Sequence, residues 1–102
     1  MVQVIENLTR LSGRLVTRGP HPQRAGWDSV VVHVEAAGPV PGKADLLSRH
    51  RGEDLPVAFR RDLLGDVGFG ARLSFRARFT LDGAIAEPHP DTGDLLIHPP
   101  GP

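Results

Sequence analysis

The clearest pattern in the chain is a strict alternation over residues 71–80. Leu73, Phe75, Ala77 and Phe79 fall on one phase, and Arg72, Ser74, Arg76, Arg78 and Thr80 on the other. Strand side chains point to opposite faces in turn, so a period of two marks a strand with one face buried. The same reading over residues 8–18 sets Leu11, Gly13 and Leu15 against Arg10, Ser12 and Arg14. Residues 27–35 set Val30, Val32 and Val34 against Ser29, Val31, His33 and Glu35. A third strand is predicted over residues 55–59, with Leu55, Val57 and Phe59 inward. Residues 60–67 space Leu63, Leu64 and Val67 as one or two helical turns.

Gly and Pro cluster between these stretches, as turn residues do in a β protein. The stretch 19–26 is a turn, and a long loop runs over 36–54, with one helical turn expected at 44–48. Gly68-Phe69-Gly70 leads into the fourth strand, and Asp82-Gly83 closes a hairpin after it. The last strand material, 84–87 and 94–98, is one bulged strand or two, interrupted over 88–93. Three strands, a short helix and two strands is the order of a five-stranded OB-type barrel, an all-β fold with its helix between strands 3 and 4. Another small five-stranded barrel or a β-sandwich fragment is the alternative. The predicted core is Leu11, Leu15, Val30, Val32, Val34, Val57, Phe59, Leu73, Phe75 and Phe79.

A length of 102 residues fits one domain, assigned to 1–97, with a Pro/Gly-rich tail at 98–102 expected to be disordered. No apolar run approaches the roughly 20 residues of a membrane helix. Residues 1–10 carry Glu6 and show no basic-then-apolar leader, so a cytoplasmic protein is expected. Cysteine is absent, which removes disulfides and thiolate metal sites. The formal net charge of zero counts against a dedicated nucleic-acid binder. Yet eleven of the twelve basic residues are arginine, the side chain whose planar fork suits phosphates and flat rings.

Several stretches together resemble the bacterial single-stranded DNA-binding protein family. Leu11-Ser12-Gly13-Arg14-Leu15 running into Gly19-Pro20 is similar to that family's opening strand. Gly26 with Val30-Val31-Val32, then Leu55-Pro56-Val57-Ala58-Phe59 entering Arg60-Arg61-Asp62-Leu63, match its later parts, and Gly70-Ala71-Arg72-Leu73 resembles its glycine-led fourth strand. The resemblance spans about residues 7–87. The chain has few aromatics and ends in Pro-Gly-Pro, without an acidic aromatic tip, which is closer to the short, tail-less primosomal replication protein B type. The resemblance implies sequence-tolerant binding of single-stranded nucleic acid, DNA favoured over RNA, in replication, repair or restart. It also implies a homodimer through the first strand, and replication or repair proteins as possible partners.

If the first strand pairs antiparallel with the fourth, Arg10, Arg14 and Arg18 lie beside Arg72, Arg76 and Arg78. Six guanidinium groups on one face attract a strand of phosphates. The alternative is a solvated face paired with Glu6, Glu87 or Asp94, or a dimer contact. Lys43, Arg49 and Arg51, with His50, make the long loop a second candidate for wrapping a strand, unless Asp45, Glu53 and Asp54 offset them. Trp27, the only tryptophan, either stacks a base or closes the core at a barrel end. Phe69 is expected to pack on the helix.

Catalysis, metal and cofactor have no support in the motifs. His33-Val34-Glu35 lacks the cysteines of a zinc deaminase, and Gly68-Phe69-Gly70 precedes a strand where a dinucleotide fingerprint needs a helix. The chain therefore reads as a binding protein with no cofactor and no membrane, either a nucleic-acid-binding module or a protein-interaction module of the same fold.

Overall fold

The computed structural model describes residues 6–100. Six strands and two short helical segments follow in the order β1 (Thr9–Pro20), β2 (Trp27–Pro39), a 3-10 turn (Ser48–His50), β3 (Asp54–Arg60), α1 (Arg61–Leu64), β4 (Arg72–Thr80), β5 (Gly83–Ala86) and β6 (Leu96–His98). β1 pairs antiparallel with β2 and β4, β2 with β3, and β4 with β5. A parallel contact of β3 with β5 closes the circle, giving a five-stranded barrel of OB type with β6 added along β4. Among the described residues no helix is long and apolar enough to cross a membrane.

The core follows the alternation. Leu11, Leu15, Val30, Val32, Val34, Val57, Phe59, Leu73 and Phe75 are buried, and Phe59 meets Phe75 edge-on at 5.0 Å between ring centres. Phe79 is half-buried and packs on that cluster. Leu64 from α1 is also buried, so the helix plugs the barrel with a single turn, shorter than the predicted 60–67. Phe69, expected to pack on the helix, is 75% exposed, because the turn that follows α1 carries it out to solvent.

Two bulges bend the long strands. The β1–β2 register shifts between Ser12 and Gly13 and again between Leu15 and Thr17. The first shift leaves Glu35 as the extra residue on β2, and the second leaves Val16 extra on β1. Gly13 sits where the strands close on each other: a Cβ there would lie 2.0 Å from the His33 carbonyl oxygen. Only glycine allows that approach.

The last strand material is two strands on one edge of β4. Ala86 lies opposite Ala77 and the Glu87 amide donates to the Arg76 carbonyl, then the ladder resumes with Leu96 opposite Ser74. Residues 88–95 leave the ladder between them. His98, assigned to the tail, is the last residue of β6 and lies opposite Arg72. It pairs there because the two prolines come after it and remove no donor from the strand. Residues 101–102 of the expected tail lie outside the described residues.

Candidate nucleic-acid interface

The β1–β4 face carries the arginines in the expected register. Arg10 lies opposite Arg76, and Arg14 opposite Arg72. Like charges directly across a sheet repel, and carboxylates from elsewhere in the chain relieve three of the four. Glu87 accepts both forks of Arg76 at 2.6 and 2.7 Å. Asp94 sits between the two chains of charge, 3.0 Å from Arg10 and 3.2 Å from Arg76. Arg72 reaches over β1 to pair with the bulged Glu35. Hydrogen bonding to Glu87 raises the Arg76 guanidinium above its ordinary range, against the opposing effect of burial. Glu87 at the end of the β4–β5 ladder and Asp94 beyond it thus fold back onto the row, which is the paired face that the alternative reading named, with Glu6 going instead to Lys43. Among the described residues Arg14 and Arg78 make no ion pair.

Arg18 is not on this face. The extra residue at Val16 reverses the phase of β1, so Arg18 lies opposite inward-facing Val30 and Pro20 opposite buried Asp28. Arg18 donates to Asp28 at 2.7 Å and to the Val67 carbonyl at 2.8 Å. Arg61 of α1 donates to the other Asp28 oxygen at 2.8 Å. This staple ties β1, β2 and the helix together at one barrel end. Burial pushes the Asp28 carboxyl up, but the hydrogen bonds from Arg61 and Arg18 and their charges outweigh it and hold it below its ordinary value.

The outer face of β2 and β3 is different. Its rows pair Trp27 with Arg60, Ser29 with Ala58, Val31 with Pro56 and His33 with Asp54. The middle rows are small and weakly polar. Trp27 lies outside the core cluster, on the outward phase, with the Arg24 guanidinium 5.3 Å from its ring centre. A cleft of about 480 Å³ opens beside it, lined by Gly26, Arg60, Arg61 and Asp62. Arg60 is held by Asp62 and by the Pro88 carbonyl at 2.6 Å.

The loop between β2 and β3 flanks the same face and is pinned in its middle. Leu47 is buried in the core, and its amide donates to the Thr9 hydroxyl at 3.3 Å. Thr9 in turn donates to Asp45 at 2.8 Å, and Asp45 accepts the Ser48 amide at 3.1 Å. These bonds outweigh the effect of burial and hold the Asp45 carboxyl below its ordinary value. The helical turn expected at 44–48 is displaced to Ser48–His50 because Asp45 accepts the first free amide from outside the turn. Arg49 and Arg51 stand exposed on this anchored turn, and neither makes an ion pair among the described residues. Lys43 is paired with Glu6, and His50 with Glu53 at 3.0 Å. A groove of about 380 Å³ lies between the turn, β3 and the β4–β5 hairpin, with His21, Ser29, Arg49, His50, Pro56 and Asp82 along it.

The structure therefore places Trp27 at one end of the β2–β3 face, puts Arg49 beside the groove along it with Arg51 on the same turn, and leaves Arg10, Arg14, Arg72 and Arg76 on another face. Arg78, on the same outward phase of β4, extends that row beside a groove of about 730 Å³ that also meets Lys43, Leu81 and Glu87. Arg24 was not singled out from the sequence; its place just before Trp27 in a Gly-bounded turn was the available signal. No family model, curated protein or solved structure matches the chain.

Proposed function

We propose that the protein is a nucleic-acid-binding OB module that takes a single strand across the outer face of β2 and β3. The observation that carries this reading is the pairing of an open, weakly polar sheet face with arginines on both flanking loops that have no acidic partner. Arg24 stacks on Trp27 on one side, and Arg49 and Arg51 stand free on the other. In OB folds the face of strands 2 and 3, with its bordering loops, is where oligonucleotides bind. Backbone charge neutralisation with one stacking ring gives sequence-tolerant binding of modest strength. The sequence resemblance favours DNA over RNA, and a role in replication, repair or restart. It also supports a homodimer through β1, for which residues 16–20 offer an edge with no strand against it, whereas residues 9–14 are bonded on both sides.

Trp27 is the sole tryptophan and reports on the face directly. A titration of its fluorescence with oligo-dT and oligo-rU at low salt is expected to give quenching with roughly micromolar affinity that weakens steeply as salt rises. Light scattering in the same buffer is expected to show a dimer. Absence of binding to either strand at low salt would favour the second reading, a protein-interaction module. The neutral net charge and the self-neutralised Arg10, Arg72 and Arg76 speak for that reading.

A further inference from the structure

β3 and β5 close the barrel with only two residue pairs, Val57 with Ala84 and Ala58 with Ile85. On the Leu55 side of these pairs the strands have no further ladder, and the groove beside the Ser48–His50 turn opens into the gap. Phe79, half-buried, is the most open apolar side chain of its floor, and Leu55, Val57, Ala84 and Leu47 of the pinned loop lie buried beneath with only their edges reaching the groove. Its rim is polar, with Arg49 and His50 on one side and Asp82 of the hairpin on the other. The volume of about 380 Å³ falls in the range of small-molecule sites, which are apolar inside with a few polar groups at the mouth.

We propose that this seam is a pocket for one unstacked nucleotide, with the base against the apolar floor and a phosphate on Arg49. The inference rests on the nucleic-acid reading above and adds that the strand is not merely laid over the face: one of its bases leaves the stack and enters the barrel wall. An apolar floor rewards burial of a flat base whatever its identity. A cation with no acidic partner at the mouth rewards an adjoining phosphate. Anchoring of the turn through Leu47, Thr9 and Asp45 holds the backbone that carries Arg49, so only its side chain remains to be ordered on binding.

The test uses the whole chain, labelled with nitrogen-15, and three probes: thymidine 5′-monophosphate, thymidine and inorganic phosphate. The monophosphate is expected to shift the amides of Leu47, Val57 and Ala84, with thymidine shifting them less and phosphate moving only the residues around Arg49. Arg49→Ala is expected to weaken the monophosphate by about tenfold, the loss of one charge-assisted contact. Ser29→Phe, an outward substitution at the mouth, is expected to block the monophosphate while the amide spectrum stays that of the folded barrel. Should Ser29→Phe fail to fold, Arg49→Ala alone carries the test. A strand that binds while the monophosphate leaves the seam amides unmoved overturns the pocket and spares the proposed function. A monophosphate that shifts them while no strand binds supports the pocket and overturns strand binding. Seam amides unmoved by the monophosphate, together with no binding of oligo-dT or oligo-rU at low salt, overturn both.

Discussion

On the β1–β4 face Arg10 and Arg76 are clasped by Glu87 and Asp94; beside the β2–β3 face Arg49 and Arg51 meet no carboxylate among the described residues. Both surfaces are equally arginine-rich in sequence. What separates them is the course of distant chain. Glu87 at the end of the β4–β5 ladder and Asp94 beyond it lie over the first face, while the acids of the β2–β3 loop and the start of β3 turn elsewhere: Asp45 to Thr9, Glu53 to His50 and Asp54 to His33. An arginine is available to a ligand only where the fold spends the nearby carboxylates on other partners. The first face then contributes to stability and the second is free to bind, and that division is open to test by substitution.

The largest expected effect removes the scaffold that both faces share. Phe75 is buried against Phe59 and fixes the phase that puts Arg72 and Arg76 outside. Phe75→Ala is expected to cost about 3–5 kcal/mol, comparable to the whole stability of a small domain, in urea or thermal unfolding. Unchanged melting would mean that the strand phase is reversed, and the comparison of faces would fall with it.

Next is the Asp28 staple, which holds Arg18 away from the first face. Asp28→Asn is expected to cost about 2–3 kcal/mol at neutral pH, since it leaves Arg18 without its counter-charge at a buried end. The sign with pH follows from the lowered carboxyl. Its contribution is complete above the ordinary aspartate value of 3.8 and is lost as pH falls through the lower folded value. Asp45 acts in the same direction. Urea midpoints are therefore expected to fall between about pH 5 and pH 2, and less in Asp28→Asn than in the parent. An equal fall in both would show that the staple is not the titrating group.

A smaller effect separates paired from unpaired arginines on one face. Arg76→Ala strips Glu87 of its partner and Asp94 of one of its two, in a half-buried setting, and is expected to cost about 1–2 kcal/mol. Arg14→Ala, exposed and without an ion pair, is expected to stay within about 0.5 kcal/mol. Equal melting of the two variants would place Glu87 and Asp94 in solvent and leave the arginine row bare.

How much of this was legible in the sequence varied by element. The alternation in β4, the valines of β2 and the placing of α1 between β3 and β4 were readable because each rests on local periodicity. Arg18 was assigned to the wrong side because a bulge adds one residue with no mark in the sequence, and Val16 looks like any strand valine. The pairing of Arg10 and Arg76 with Asp94 and Glu87 was open in the sequence as an alternative to the bare row, but periodicity could not decide it, because Asp94 lies 84 residues from Arg10 and only the fold brings it back. Leu47 sat in a stretch read as a loop, and only the folded barrel shows that it enters the core. The candidate interface moved for these reasons from β1–β4 to β2–β3, while Trp27, Arg49 and Arg51, assigned by residue type and by their place in turns, stayed within it.

The smallest expected change in stability carries the sharpest test of the comparison. Arg49 and Arg51 project from a turn held by Leu47 and Asp45, and neither guanidinium supports that turn. The double substitution to Ala is expected to leave the melting temperature nearly unchanged, within about 0.5 kcal/mol. Its effect falls on binding. Each phosphate contact with a single strand contributes a salt slope of roughly −0.7, so loss of two flattens the slope by about 1.4. The loss is expected to be even across sequences, because phosphate contacts position a strand without reading it. Arg10 and Arg76 supply the matched control. Their charges already have carboxylate partners, so replacing them lowers stability and leaves the slope where it was. A slope that follows Arg10 and Arg76 while ignoring Arg49 and Arg51 would return the interface to the β1–β4 face.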